Sequence, residues 1–168
     1  MNKLACFFAT VLALAPINSA FAEDVNEIQK GLISTNCGSI KMQLEKVQKE
    51  DAKNRVHLGA QYETILTNLM INLNLRLVKN NRPNATLTEQ QTKFTDRRDR
   101  FKNDYVKYSQ ELDKLIDMNC KDEPQTFYNQ LVRVRAKREE VNKDIAKLNT
   151  LVEEHYSTII NLRKELAQ

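Results

Sequence analysis

Two hydrophobic patterns divide the chain. The first is a near-continuous apolar run from Leu4 to Ala15, preceded by Met1-Asn2-Lys3 and followed by Pro16 and a small-residue stretch ending Ala20-Phe21-Ala22. One positive charge, a short apolar stretch and an A-x-A-type site are the parts of a secretory signal peptide. The run falls short of the ~20 apolar residues needed to span a bilayer. The sequence therefore predicts a cleaved signal over residues 1–22 and a single mature domain over 23–168, periplasmic or secreted.

From Glu23 onward the apolar positions recur every three or four residues, the spacing of amphipathic helices packed in coiled-coil fashion. Val25, Ile28, Leu32 and Ile33 predict a short helix ending at Ser34. Gly38 then marks a break, and Ser39 is the expected N-cap of a long helix. Its seam reads Ile40, Leu44, Val47, Asp51, Arg55, Leu58, Tyr62, Ile65, Leu69, Leu73 and Leu77, with Asn80, Asn81 and Pro83 stopping it. Thr88, with Gln91 three residues on, reads as the capping box of a second helix. Its seam runs through Phe94, Arg98, Phe101, Tyr105, Tyr108, Leu112 and Leu115. Pro124 suits the first position of a third helix. That helix carries Phe127, Leu131, Val134, Arg138, Val141, Ile145, Leu148, Val152 and His155 and continues to Leu166.

Three Gly, three Pro and no Trp in 168 residues favour long helices with few turns over a sheet protein. The predicted fold is all-α: an elongated antiparallel three-helix bundle with coiled-coil-like packing, plus the short N-terminal helix. Helices one and three each run about 43 residues, or ~64 Å. The second is about a dozen residues shorter, and an extended return over 81–87 is expected to make up the difference. That register brings Cys37 to Cys120 at one end of the bundle. Cys6 leaves with the signal, so these two remain as an even pair in an oxidising compartment, where a disulfide is the default over free thiols or an intermolecular bridge.

The same register sets Asp51, Arg55, Tyr105 and Arg138 at one height. Four polar groups in an apolar seam suggest a structural layer that fixes helix alignment. A ligand pocket is the competing reading, disfavoured because bulky seam residues leave little room. Gly59, inside the first long helix, suggests the close approach of a neighbour such as the Arg98 stem, or a hinge. No metal or cofactor is expected. The residues three before His57 and His155 are Asn54 and Val152, so the Glu-x-x-His pairs of di-iron bundles are missing.

The net charge is +4, from 26 Lys and Arg against 22 Asp and Glu. Both signs are interspersed, including around the clusters Arg97–Arg100 and Arg133–Arg138, which argues against nucleic acid as a partner. Peripheral membrane contact is compatible with those clusters. Asn84-Ala85-Thr86 forms a glycosylation sequon that matters only in a eukaryotic secretory pathway.

No catalytic motif stands out. The expected function is that of an exported, non-enzymatic scaffold, adaptor or subunit of a cell-envelope assembly, working through contacts with an envelope or secreted protein. The alternative is a periplasmic holdase chaperone, for which Met42, Met70, Ile71 and Leu75 are the candidate client surface.

Overall fold

A computed structural model describes residues 25–166. The expected signal segment, with Cys6, lies outside the described residues, as do residues 23–24 and 167–168. Among the described residues the structure is helical with no strand: α1 (Glu27–Thr35), α2 (Cys37–Thr64), a π-helical segment (Ile65–Ile71), α3 (Asn72–Lys79), α4 (Ala85–Asp117) and α5 (Pro124–Leu166). The stretch from α2 to α3 is one unbroken rod that matches the 43 residues of α5, while α4 has 33. Rod, α4 and α5 form the antiparallel bundle, with α4 against α5 as its most extensive contact.

The ends of the elements show how local chemistry places them. Asn26 and Gln29 form a reciprocal capping box at the start of α1. Asn36 ends α1 by donating both its backbone N–H and its Nδ2 to the Leu32 carbonyl. With that carbonyl satisfied the chain re-enters a helix at once. Gly38 and Ser39 thus lie inside α2 and do not form the expected break. Helix α1 is pinned at both ends, where Val25 N–H just before it donates to Gln125 Oε1 of α5 (3.1 Å) and Ser34 Oγ donates to the Lys121 carbonyl in the turn before α5 (2.8 Å). Val25 is buried, whereas Ile28 and Leu32 face solvent.

The rod stops in a Schellman turn. Asn81 takes a positive φ of 56°, Arg82 N–H donates to the Leu77 carbonyl and Asn81 N–H to the Val78 carbonyl. Asparagine tolerates that left-handed conformation better than other non-glycine residues. Helix α4 begins at once, with Asn84 Oδ1 accepting from Leu87 N–H at 3.0 Å. The N-cap is Asn84, not Thr88, and there is no extended return over 81–87. Leu87 belongs to the helix because it heads a buried row spaced seven residues apart, Leu87, Phe94, Phe101, Tyr108 and Leu115. The slack is taken up at the opposite end, where Met118 turns extended (φ −66°, ψ 147°). Cys120 thereby reaches Cys37, and the two form a disulfide with Cα atoms 5.5 Å apart.

Two seams are rotated from their expected positions. In the rod, Tyr62, Leu66 and Met70 are buried, and Leu69 is largely exposed. The π-helical segment causes this, because its wider turn holds residues four apart on one face. Met70 is consequently core, not client surface. In α5 the deepest row is Phe127, Gln130, Val134, Val141, Asp144, Leu148, Leu151 and His155. Leu131, Ile145 and Val152 are only half-buried and pack against the core from its side. At the centre, Tyr62 meets Phe94 and Phe101 edge-on, with ring centroids 6.0 and 5.8 Å apart.

Gly59 does not accommodate a close neighbour. A Cβ built there meets nothing within 4 Å. Arg98 bonds instead to Glu63 and Asp99. Gly59→Ala should therefore stabilise the protein by about 1 kcal/mol through helix propensity alone. Urea unfolding at neutral pH would test this, and a loss of stability would mean that the backbone at this position is strained.

Candidate functional site

The polar groups that the sequence sets at one height do assemble, in an arrangement that differs in detail. Asp51 on α2 accepts from Arg138 on α5 through two parallel bonds, Nε to Oδ2 and Nη2 to Oδ1, both 2.8 Å. Such fork-to-fork pairing fixes geometry as well as charge. The third partner is Tyr108, whose hydroxyl donates to Asp51 Oδ2 at 2.6 Å. Tyr105, one of the four residues expected in the layer, sits beside this cluster without bonding to Asp51. Its ring meets Tyr108 edge-on at 5.9 Å, and the Arg55 guanidinium lies 5.6 Å over its face. Helical phase explains the exchange, since Tyr108 belongs to the deepest row of α4 and Tyr105 to its flank.

Burial is uneven within the cluster. Tyr108 is buried, and burial followed by its bond to Asp51 pushes its pKa well above the ordinary tyrosine value. The Asp51 side chain is 14% exposed and that of Arg138 is 49% exposed. The bond to Asp51 holds the Arg138 pKa above its usual range. Because half of Arg138 reaches water, the cluster is a clamp at the edge of the seam and not a sealed charged layer. Nearby, Gln48 donates to Asp113, again linking α2 to α4.

A second charged pair lies deeper, where the sequence reading expected none. Arg97 Nη1 on α4 donates to Asp144 Oδ1 on α5 at 2.8 Å. The Asp144 side chain is 3% exposed, and its other oxygen has no partner. The signal was present in the spacing. Asp144 follows Val141 by three and precedes Leu148 by four, which places it in the α5–α4 row. Asp104, on the same side of α4, is held below the usual carboxylate range by its bond to Lys107.

His155 is wholly buried in the same row. Its Nδ1 donates to Gln90 Oε1 at 3.2 Å, leaving Nε2 buried without a partner. Gln90 in turn donates to Thr158 at 3.0 Å. The charged side chains on neighbouring turns pair at the surface, Glu89 with Lys93 and Glu154 with Lys147. Desolvation lowers the His155 pKa below 6.5. The unfolded chain therefore takes up a proton near 6.5 that the folded chain resists. Stability from this group is complete above pH 6.5 and falls as the pH drops from 6.5 toward the folded value. Urea midpoints should decline over that interval, before the carboxylates titrate, and His155→Leu should flatten the decline. An unchanged slope in that variant would place the pH sensitivity elsewhere. His57, the other histidine, is exposed on α2.

Among the described residues no three His, Cys, Asp or Glu side chains gather as metal ligands, and no helix is long and apolar enough to cross a membrane. The Asn84 side chain of the sequon is engaged as the α4 cap.

Comparison with protein-family models, curated proteins and solved structures returns no match. The geometry of the chain is therefore the whole basis for a functional reading. It consists of a covalent tie at one end, an edge clamp centred on Asp51, and a buried polar row through Asp144 and His155.

Proposed function

We propose that the chain is an exported, non-enzymatic helical scaffold or adaptor of a cell-envelope assembly that acts through protein–protein contacts. The observation that carries this reading is a doubly secured rod. A 43-residue α5, ~64 Å long, lies beside a rod of equal length. The Cys37–Cys120 disulfide ties one end, and the bidentate Asp51–Arg138 bond fixes the register farther along. A stiff object of this length suits spacing or joining other components better than enclosing a substrate. The disulfide is at home in an oxidising compartment, which supports export.

The decisive experiment places photo-crosslinking residues at the exposed positions Val56, Val106 and Val132, one on each long helix, and irradiates intact cells. A scaffold should give discrete adducts from one face, each with the same protein. An exported chain that forms no adduct at any position would overturn the reading.

The holdase alternative draws on exposed Met42 and Leu75. A monomer by light scattering that leaves client aggregation unaffected would eliminate it.

A further inference from the structure

The two ends of the bundle differ in charge. At the disulfide end the signs alternate, with Glu27 paired to Lys30 and Lys121 followed by Asp122 and Glu123. At the other end residues 64–88 contain no Asp or Glu, and the cations Arg76, Lys79 and Arg82 are all exposed there. Leu75 and Val78 are also exposed, at 61% and 59%. The spacing gathers these residues. Leu75, Val78 and Lys79 stand three or four apart, so they form one outward stripe along α3, and Arg82 follows just past the turn that ends the helix. The half-buried side of this stretch, Leu73, Asn74 and Leu77, faces the bundle, and Asn74 at its border with the stripe donates to Gln91 (2.6 Å) and to the Leu87 carbonyl (3.3 Å) of α4.

The C-terminus of α5 comes to the same end, because its Thr158 and His155 bond to Gln90 in the second turn of α4. It adds Arg163 and Lys164, both exposed, against a single acid, Glu165. Glu89, the nearest acid along α4, is already paired with Lys93.

We infer that this tip docks on an anionic lipid surface, with the end of α3 entering the headgroup region, Leu75 and Val78 inserted and the cations around them against lipid phosphates. Charge complementarity selects the partner class. An acid-free basic stripe that also carries exposed aliphatics has the make-up of an interfacial helix. Nucleic acid would instead call for aromatic stacking residues among the cations, and the stripe has none. The envelope-scaffold reading supplies only the setting in which the tip meets a membrane. The two proposals fail separately, since vesicle binding uses purified protein and the scaffold reading rests on crosslinked partners.

The test is co-sedimentation of the disulfide-bonded chain with vesicles of phosphatidylglycerol and phosphatidylcholine, compared with phosphatidylcholine alone. Binding should require the anionic lipid and weaken as salt is raised. The Arg76→Glu/Lys79→Glu/Arg82→Glu variant should lose about a hundredfold, from roughly fivefold per surface cation. Leu75→Ser/Val78→Ser should weaken binding at constant salt. Arg133→Glu/Arg135→Glu, on exposed positions of α5 remote from the tip, should leave it unchanged. Circular dichroism melts would establish that each variant is folded. Equal binding to both vesicle types, full binding by the folded tip variant, or equal loss in the α5 variant would overturn the assignment. So would binding of single-stranded DNA as tight as that of anionic vesicles.

Discussion

The Cys37→Ser/Cys120→Ser double variant should be less stable than the native chain by about 4.5 kcal/mol. The disulfide closes a loop with a sequence separation of 83. On the chain-entropy model a loop of that size gives this figure, of which measured losses are often a part. For a domain of this length the melting temperature should fall on the order of 15 °C. The damage should be local before it is global. Helix α1 and the first turns of α2 contain no fully buried residue, and hold to the rest through the disulfide, the Val25 and Ser34 bonds and the partly buried Ile33, Ile40 and Leu44. Amide hydrogen exchange should therefore accelerate first in α1 and the N-terminal half of α2, ahead of the α4–α5 pair. Identical melts with and without reductant would show that the tie contributes nothing. Uniform acceleration along the chain would show that its contribution is not confined to one end.

Arg97→Ala should be the costliest change of a surface-reaching residue, at about 3 to 5 kcal/mol, because it leaves a buried carboxylate without its partner. Asp144 is nearly sealed, and its second oxygen is already unpartnered. Replacing both residues with leucine should cost much less, since neither charge then remains to be desolvated. The Asp51 clamp provides the contrast. Arg138→Ala should cost about 1 kcal/mol or less, as expected for a pair with one member open to water. Asp51→Ala should cost about 2 kcal/mol, mainly by stranding the buried Tyr108 hydroxyl. Urea unfolding of the four variants would rank them. If Arg138→Ala proved as damaging as Arg97→Ala, the clamp would be dry in solution and Arg138 would not reach water.

The helical architecture was legible because a three-and-four spacing survives in every long element and because Gly and Pro are too few to break it. Cysteine pairing was legible from an even pair of cysteines and two helices of equal length, although the slack lies at Met118 and not over 81–87 as the sequence suggests. The detail that the sequence leaves open is helical phase. A single seam drawn along α5 misses Asp144. In a three-helix bundle each helix packs against two neighbours, so two adjacent rows are apolar and the sequence does not say which lies deeper. Tyr105 and Tyr108 were exchanged for the same reason. The α4 cap was misplaced because Asn84 and Thr88 are both good capping residues, and only the burial of Leu87 decides between them. The π-helical segment could not be foreseen. Ile65, Leu66, Leu69, Met70 and Ile71 offer two apolar rows, and helix propensity is indifferent between them.

The π-helical segment also works as a gear. The part of the rod before it is held in azimuth by the disulfide and the Asp51 clamp, and α3 beyond it by the Asn74 bonds to α4. The wider π turn advances less per residue, so these seven residues turn the chain about as far as six would in an α-helix. Removing one residue from Ile65–Ile71 would therefore restore α-helical winding and leave α3 facing as it does. Forcing α-helical winding on all seven would instead turn α3 by about 100° and carry Asn74 away from Gln91 and Leu87. The direction in which the basic stripe faces is thus set by the loose winding of one short segment, and tightening that segment would re-aim the tip while the clamped end stayed as it was.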